Sequence, residues 1–267
     1  MLTWKLLLLP IVLLTYSPSW AQVTPLPNAH AHNDYRHERP LLDALDHGFT
    51  SVEADVLLIH GELYVGHDMP EGSHSLPTLE AAYLKPLQQR VARENGKVYS
   101  GYNGDFYLML DFKTEAKPTY DRLKEILLPY QDMLSFTEGG TSYQGAVTVF
   151  LSGNRPIEQV QQERLQVVSI DGRPDDLEKG YSAEFMPVIS QHYRAIVDWD
   201  GVEPLSRKQL KKLKVLTQTA HEEGKKVRLW ATPENDLVWK TLLEAEVDLI
   251  NTDKLAELQQ FLNQYDK

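Results

Sequence analysis

Residues 51–68 read SVEADVLLIHGELYVGHD. Glu53 and Asp55 stand two apart in a run otherwise rich in valine, alanine and leucine. On a strand both carboxylates therefore point to one face. Two ionised carboxylates held together among apolar neighbours need compensation, and a divalent cation supplies it. The competing arrangement turns both acids to water and puts Val52, Ala54 and Val56 in the core. A central strand of a parallel barrel is buried on both faces, and that favours the inward arrangement. Whether this run is such a strand depends on its surroundings.

Outward from it, β-rich runs recur at residues 26–32, 50–57, 106–112, 146–152, 166–171, 194–199, 226–231 and 247–251. Helical patterns separate most of them. Residues 40–48 start with Pro40, carry apolar residues at three- and four-residue spacing and end at Gly48. Ser206 with Gln209 forms a capping-box pattern, followed by Leu210, Leu213, Leu216 and Ala220 on one face and a stop at Gly224. Leu255, Leu258 and Leu262 give a closing helix its apolar stripe. Strands alternating with helices at this chain length imply a (β/α)8 TIM barrel. A doubly wound sheet alternates in the same way, but gathers its site at one crevice. Here polar residues end several separate strands, as in a barrel. The stretch 58–105 reads as an enlarged loop over the site with a helical piece inside it. Residues 22–267 are thus expected to form a single domain.

Residues 1–21 have the pattern of a cleaved secretory signal: Lys5, the apolar run Leu6–Leu14, and Ser19-Trp20-Ala21 before Gln22. The run is short for a membrane span, so export to a periplasm or the cell exterior is expected, without stable membrane insertion of the mature chain. The chain has 267 residues and a net charge of −11. That surface disfavours nucleic acid and anionic membranes. The absence of cysteine excludes disulfides, thiolate metal sites and thiol nucleophiles.

Three further motifs carry chemistry. In FYLMLDFKT (106–114), Asp111 ends an apolar run and Lys113 lies two residues on, on the same face. Asp111 is a third oxygen ligand beside Glu53 and Asp55, and such a set suits Mg²⁺ or Ca²⁺ better than zinc. Lys113 can neutralise an anion bound there, or merely pair with Asp111. In YVGHDMP (64–70), His67 follows the short strand Leu63-Tyr64-Val65. In NAHAHNDY (28–35), His30 and His32 point the same way on an extended strand. His32 lies nearer the strand's C-terminal end, where barrels place their chemistry, and His30 one layer deeper. Two imidazoles around a carboxylate cluster form an acid–base pair near neutral pH.

These residues resemble the phospholipase C-like phosphodiesterase superfamily, on its glycerophosphodiester phosphodiesterase side. The matching pieces are His32, VEADV, VGHD, LDFK, VRLWAT and VDLINTD, in family order over residues 30–253. HNDY with RPLLDAL, and PTLEAAYLKPL, are most similar to a poorly characterised branch. The chain departs from the glycerophosphodiesterase pattern where His32 is followed by Asn33-Asp34 instead of Arg-Gly, where a nearby Glu-Asn pair is missing, and where Asp111 replaces a glutamate. The resemblance implies a barrel with one divalent cation on Glu53, Asp55 and Asp111. It implies His32 and His67 as the acid–base pair and Lys113 as the stabiliser of phosphoryl charge. Trp230 is placed to wall the leaving group, and His30 supports the substrate side. The implied reaction is hydrolysis of a glycerophosphodiester-like or phospholipid-derived phosphodiester, with a small or lipid-derived molecule as substrate.

Two rivals remain at this level. His-x-His after a first barrel strand also opens amidohydrolase-type zinc sites, which require further late histidines and leave Glu53, Asp55 and Asp111 without a task. A non-catalytic exported binding protein needs no acid–base pair.

Overall fold

A computed structural model describes residues 23–70 and 75–265. The export signal expected at residues 1–21 lies outside them. The elements in chain order are β1 (Leu26–Ala31), α1 (Leu42–Asp46), β2 (Phe49–Ile59), β3 (Glu62–Val65), α2 (Lys85–Arg93), β4 (Tyr107–Phe112), α3 (Ala116–Leu127), β5 (Phe136–Glu138), β6 (Thr141–Tyr143), β7 (Thr148–Gly153), α4 (Ile157–Gln162), β8 (Leu165–Gln166), β9 (Ser169–Gly172), β10 (Val188–His192), α5 (Arg207–Glu222), β11 (Lys226–Trp230), α6 (Asp236–Glu244), β12 (Leu249–Thr252) and α7 (Leu255–Tyr265).

Strands β1, β2, β4, β7, β9, β10, β11 and β12 pair in parallel, and β1 pairs with both β12 and β2, which closes the ring. This is the expected (β/α)8 barrel. Its strands are buried on both faces: β12 throughout, and β2 over its first nine residues. Strand β3 folds back antiparallel on β2. A small sheet of β6, β5 and β8 stands at the opposite end, where the barrel strands begin.

One expected strand is misplaced. The sixth barrel strand is Val188–His192, and residues 194–199 follow it as a 3-10 turn and loop. Val197 and Trp199 there are buried loop anchors, which gives the segment the apolar content of a strand. The helix signals are realised: Ser206 Oγ accepts the backbone N–H of Gln209 and caps α5, and Leu255, Leu258 and Leu262 are buried on α7. The 58–105 stretch holds the β3 hairpin and α2, the crossover helix between β2 and β4. It forms no second domain.

The barrel interior is layered. Tyr107, Met109, Phe150, Val188 and Leu249 form an apolar plug. His30, in register with Ser51 and Asn251, and Ser190, in register with Arg228, belong to a buried polar layer. One step further along, Asp55, Asp111 and Ser152 are register partners. The side-chain period of two thus delivers a polar set at the C-terminal ends of the strands, above an apolar floor.

Candidate active site

The C-terminal mouth of the barrel holds a cavity of about 380 Å³. His32, Glu53, His67, Asp111, Lys113 and Trp230 all line it. These six expected site residues come from five separate chain segments, and the fold brings them together. Asp55 lies just behind, wholly buried, and His30 lies beneath without lining the cavity.

Glu53 is 4% exposed and Asp55 0%, so the surface-facing alternative for this strand does not hold. One carboxylate oxygen from each of Glu53, Asp55 and Asp111 lies within 4.8 Å of the others. Asp111 Oδ1 is buried with no hydrogen-bond partner among the described residues, and Asp55 Oδ1 has only the Lys113 ammonium beside it. Unsatisfied buried carboxylate oxygens are costly. Burial holds both Asp55 and Asp111 above the usual carboxylate range; Tyr35 and Lys113 work against this for Asp55, and Lys113 for Asp111. Gly153 follows the same logic, since a Cβ there would stand 2.0 Å from Asp111 Oδ1. An all-oxygen set converging with open lone pairs fits a hard divalent cation such as Mg²⁺ or Ca²⁺.

Lys113 Nζ lies 3.0 Å from Asp111 Oδ2 and 3.3 Å from Asp55 Oδ1. Burial opposes its charge, but Asp111 and then Asp55 outweigh burial and raise its pKa. Tyr35 donates to Asp55 Oδ2 at 2.8 Å and fixes the second oxygen of that acid.

The two cavity histidines share a pattern. His32 Nδ1 lies 2.7 Å from Asp253 Oδ1, and His67 Nδ1 lies 3.0 Å from Asp68 Oδ1. An acid on Nδ1 orients each ring, and at His32 the other nitrogen, Nε2, lies 3.2 Å from Asn33 Nδ2. Burial works to lower the His32 pKa, but the hydrogen bond to Asp253 and the charge of Glu53 prevail and raise it. Trp230 is partly exposed, and its ring meets that of His192 edge to face at 4.5 Å.

His30 is committed elsewhere. Its Nδ1 lies 2.7 Å from Ser51 Oγ, and its Nε2 lies 3.2 Å from Glu53 Oε2 and 3.0 Å from Arg228 Nη1. A guanidinium has no acceptor. The tautomer that suits it carries the proton on Nδ1, donated to Ser51. Burial, then the Arg228 charge, lower the His30 pKa to about 4. With Nδ1 turned to Ser51 and Nε2 to the Arg228 guanidinium, neither ring nitrogen is open to a cation, so the His-x-His pair does not form the start of an amidohydrolase-type zinc site. His30 stands one layer deeper, hydrogen-bonded beneath the cavity, and does not line it.

Arg228 escaped the sequence reading. Nη1 donates to Glu53 Oε2 at 3.0 Å and to Asn251 Oδ1 at 2.9 Å, and Nε donates to Ser190 Oγ at 3.1 Å. Arg228 holds Glu53 ionised: burial pushes its pKa up, but the guanidinium at Oε2 helps to keep it well below the usual carboxylate range. The signal was present, because Arg228 and Trp230 lie two apart and must share a face. Arg36, Arg173, Asn33 and Ser152 also line the cavity.

Two solved structures of similar fold are phosphodiesterases. A glycerophosphodiester phosphodiesterase from Parabacteroides distasonis superposes with a TM-score of 0.55 at 16% identity, over 91% of this chain and 100% of that one. A phosphodiesterase from Oleispira antarctica, solved with the product sn-glycerol-3-phosphate, gives 0.52 at 13% identity, over 91% and 98%. At these identities the likeness is one of fold, and this chain shares the barrel architecture of both enzymes. A model described as the AIM6-like phosphodiesterase domain matches residues 19–168, and one for the glycerophosphoryl diester phosphodiesterase family matches residues 226–256. The Altered inheritance of mitochondria protein 6 homolog of Arthroderma benhamiae is 30% identical, over 86% of this chain and 82% of that protein. Its Kluyveromyces lactis counterpart is 27% identical over 90% and 73%. The chain belongs to the AIM6-like phosphodiesterase family.

Proposed function

We propose that this protein is a metal-dependent phosphoric diester hydrolase acting on a glycerophosphodiester-like or phospholipid-derived diester. The observation that carries this reading is the convergence of Glu53, Asp55 and Asp111 beside Lys113 and two carboxylate-backed histidines in one cavity. The Oleispira relative's complex with sn-glycerol-3-phosphate supports a phosphate ester as the bound group.

Glu53, Asp55 and Asp111 would hold the cation, Mg²⁺ or Ca²⁺, which when bound polarises the phosphoryl group as a Lewis acid. Lys113 sets a positive charge beside it for the phosphoryl oxygens. One of His32 and His67 takes the proton from the attacking oxygen, either water or a neighbouring substrate hydroxyl. As the new P–O bond forms, the bond to the leaving alcohol breaks, and the other histidine protonates that alcohol. Water yields a phosphomonoester; an internal hydroxyl yields a cyclic phosphate. Trp230 walls the leaving-group side.

We further propose that the chain is exported, through residues 1–21, to a periplasm or the cell exterior. No helix among the described residues is long and apolar enough to cross a membrane.

The test is ³¹P NMR of glycerophosphodiesters incubated with the protein and Mg²⁺ or Ca²⁺. A monoester or cyclic phosphate should accumulate. Intact diesters in every incubation, including a generic diester such as bis(p-nitrophenyl) phosphate, would sink the hydrolase reading and leave a binding protein.

A further inference from the structure

Every nitrogen of Arg228 but one is spoken for. Nε is given to Ser190, and Nη1 is shared among His30, Glu53 and Asn251. Arg228 thereby ties its own strand β11 to β10, β12, β1 and β2. Its side chain is about 5% exposed, yet the residue lines the catalytic cavity. Among the described residues, Nη2 has no hydrogen-bond partner and is not one of the sealed, unpartnered polar atoms. In a side chain this deeply buried, Nη2 is the nitrogen that opens on the cavity.

The other cavity cations differ. Lys113 is pinned between Asp55 and Asp111, and Arg173 Nη1 is tied to Asp171 Oδ2 at 2.7 Å. Arg36 is exposed at the rim and contacts the Tyr35 ring. Among the described residues, only Arg228 combines a fixed position on the barrel floor, contact with a cation-site carboxylate and a free donor toward the cavity. A guanidinium locked by four neighbours loses little freedom on binding an anion, and its planar fork suits phosphoryl oxygens.

We propose that Arg228 is a catalytic residue: its Nη2 donates to a non-bridging oxygen of the scissile phosphoryl group, from the barrel floor. This rests on the phosphodiesterase reading. Lys113 and Arg228 reach the phosphoryl group from different strands, so they address different oxygens.

Phosphorothioate diesters test this. Sulfur in place of the oxygen that meets Nη2 weakens the hydrogen bond, so the wild type should turn over the Rp and Sp diastereomers at different rates. Arg228→Lys keeps a charge near Glu53 but removes the fork. It should cost about a hundredfold in turnover of the oxygen diester and bring the two diastereomers to within about threefold of each other. An Arg228→Lys protein that slows both equally, with the wild-type ratio preserved, would make Arg228 a support for Glu53 only and overturn the proposal. Should that variant not fold, the wild type decides it. In a crystal grown with inorganic phosphate, an oxygen should lie within hydrogen-bond reach of Nη2. Phosphate in the cavity but away from Arg228, or no phosphate there at saturating concentration, would refute the assignment. Phosphate on Nη2 without turnover of any diester would uphold the contact and sink the hydrolase reading.

Discussion

The barrel has two mouths, and the larger cavity is at the wrong one for catalysis. At the N-terminal mouth a cavity of about 560 Å³ is lined by the starts of the strands and the β5–β6 hairpin. The C-terminal cavity is about 380 Å³. The difference lies in satisfaction. At the N-terminal mouth Asp105 accepts from Tyr107 and Gln144, Lys225 pairs with Glu223, and Asp248 pairs with His221 at 2.8 Å. Among the described residues, no residue lining that cavity has a sealed polar atom without a partner. Around the C-terminal mouth Asp34, Asp111 and Asp171 each keep one buried oxygen unpartnered among the described residues. Left-handed backbone also occurs there: Asn33 (φ 47°) and Ala231 (φ 60°) directly follow His32 and Trp230. Open chemistry, and not volume, marks the site.

The largest effects that sharpen this contrast belong to the cavity histidines. His32→Asn and His67→Asn should each lower turnover at least about a hundredfold, the scale for losing an acid or base, with the melting temperature little changed. His30→Asn should cost less turnover and more stability, because His30 is wholly buried between Ser51 and Arg228. A His30 variant slower than the His32 variant, while still folded, would reverse the assignment.

Lys113→Met comes next. A charge aimed at phosphoryl oxygens is worth about 2–4 kcal/mol in the transition state, so kcat should fall by tens to hundreds of fold. Unchanged kinetics with a lowered melting temperature would reduce Lys113 to a partner of Asp111.

Asp34 shows what an unsatisfied acid costs. Burial raises its pKa to about 6, although Leu41 N–H and the Tyr83 hydroxyl both donate to it. The unfolded carboxyl titrates near 3.8. Between these values the native state binds more protons, so this group makes stability fall as pH rises from about 4 to 6 and leaves it lower above. Asn cannot titrate. Denaturant unfolding of Asp34→Asn should therefore gain on the wild type between pH 4 and 7, by at most about 3 kcal/mol. A pH-independent difference would show that Asp34 is ionised throughout that range.

The smallest effect is expected at the other mouth. Asp248→Ala removes the acceptor for His221 and for the Val227 N–H. It should cost about 1–3 kcal/mol of stability with turnover unchanged. A turnover defect in a folded Asp248 variant would mean that the two mouths are coupled.

Much of this was legible in the sequence, for physical reasons that differ by element. Strands such as β2 and β4 announce themselves through apolar runs ended by carboxylates, because barrel strands are buried on both faces. Strand β10 did not, because Ile196 and Val197 in the following loop are as apolar as Val188 and Ile189 in the strand. The carboxylate triad and the cavity histidines follow from the period of two. Arg228 was hidden because Lys226, Arg228 and Trp230 alternate with Val227 and Leu229 as they would on a solvated face. Only the closed ring reveals that the alternate face points inward. Asp253 is 221 residues from His32 in sequence, and their pairing depends on β12 closing against β1.

The most direct test is turnover of bis(p-nitrophenyl) phosphate by protein stripped of metal with excess chelator, before and after adding Mg²⁺ or Ca²⁺. If Glu53, Asp55 and Asp111 hold a required cation, the stripped protein is inactive, either ion restores activity, and Asp55→Asn is restored poorly while remaining folded. Full turnover in excess chelator would contradict a metal-held site at the C-terminal mouth.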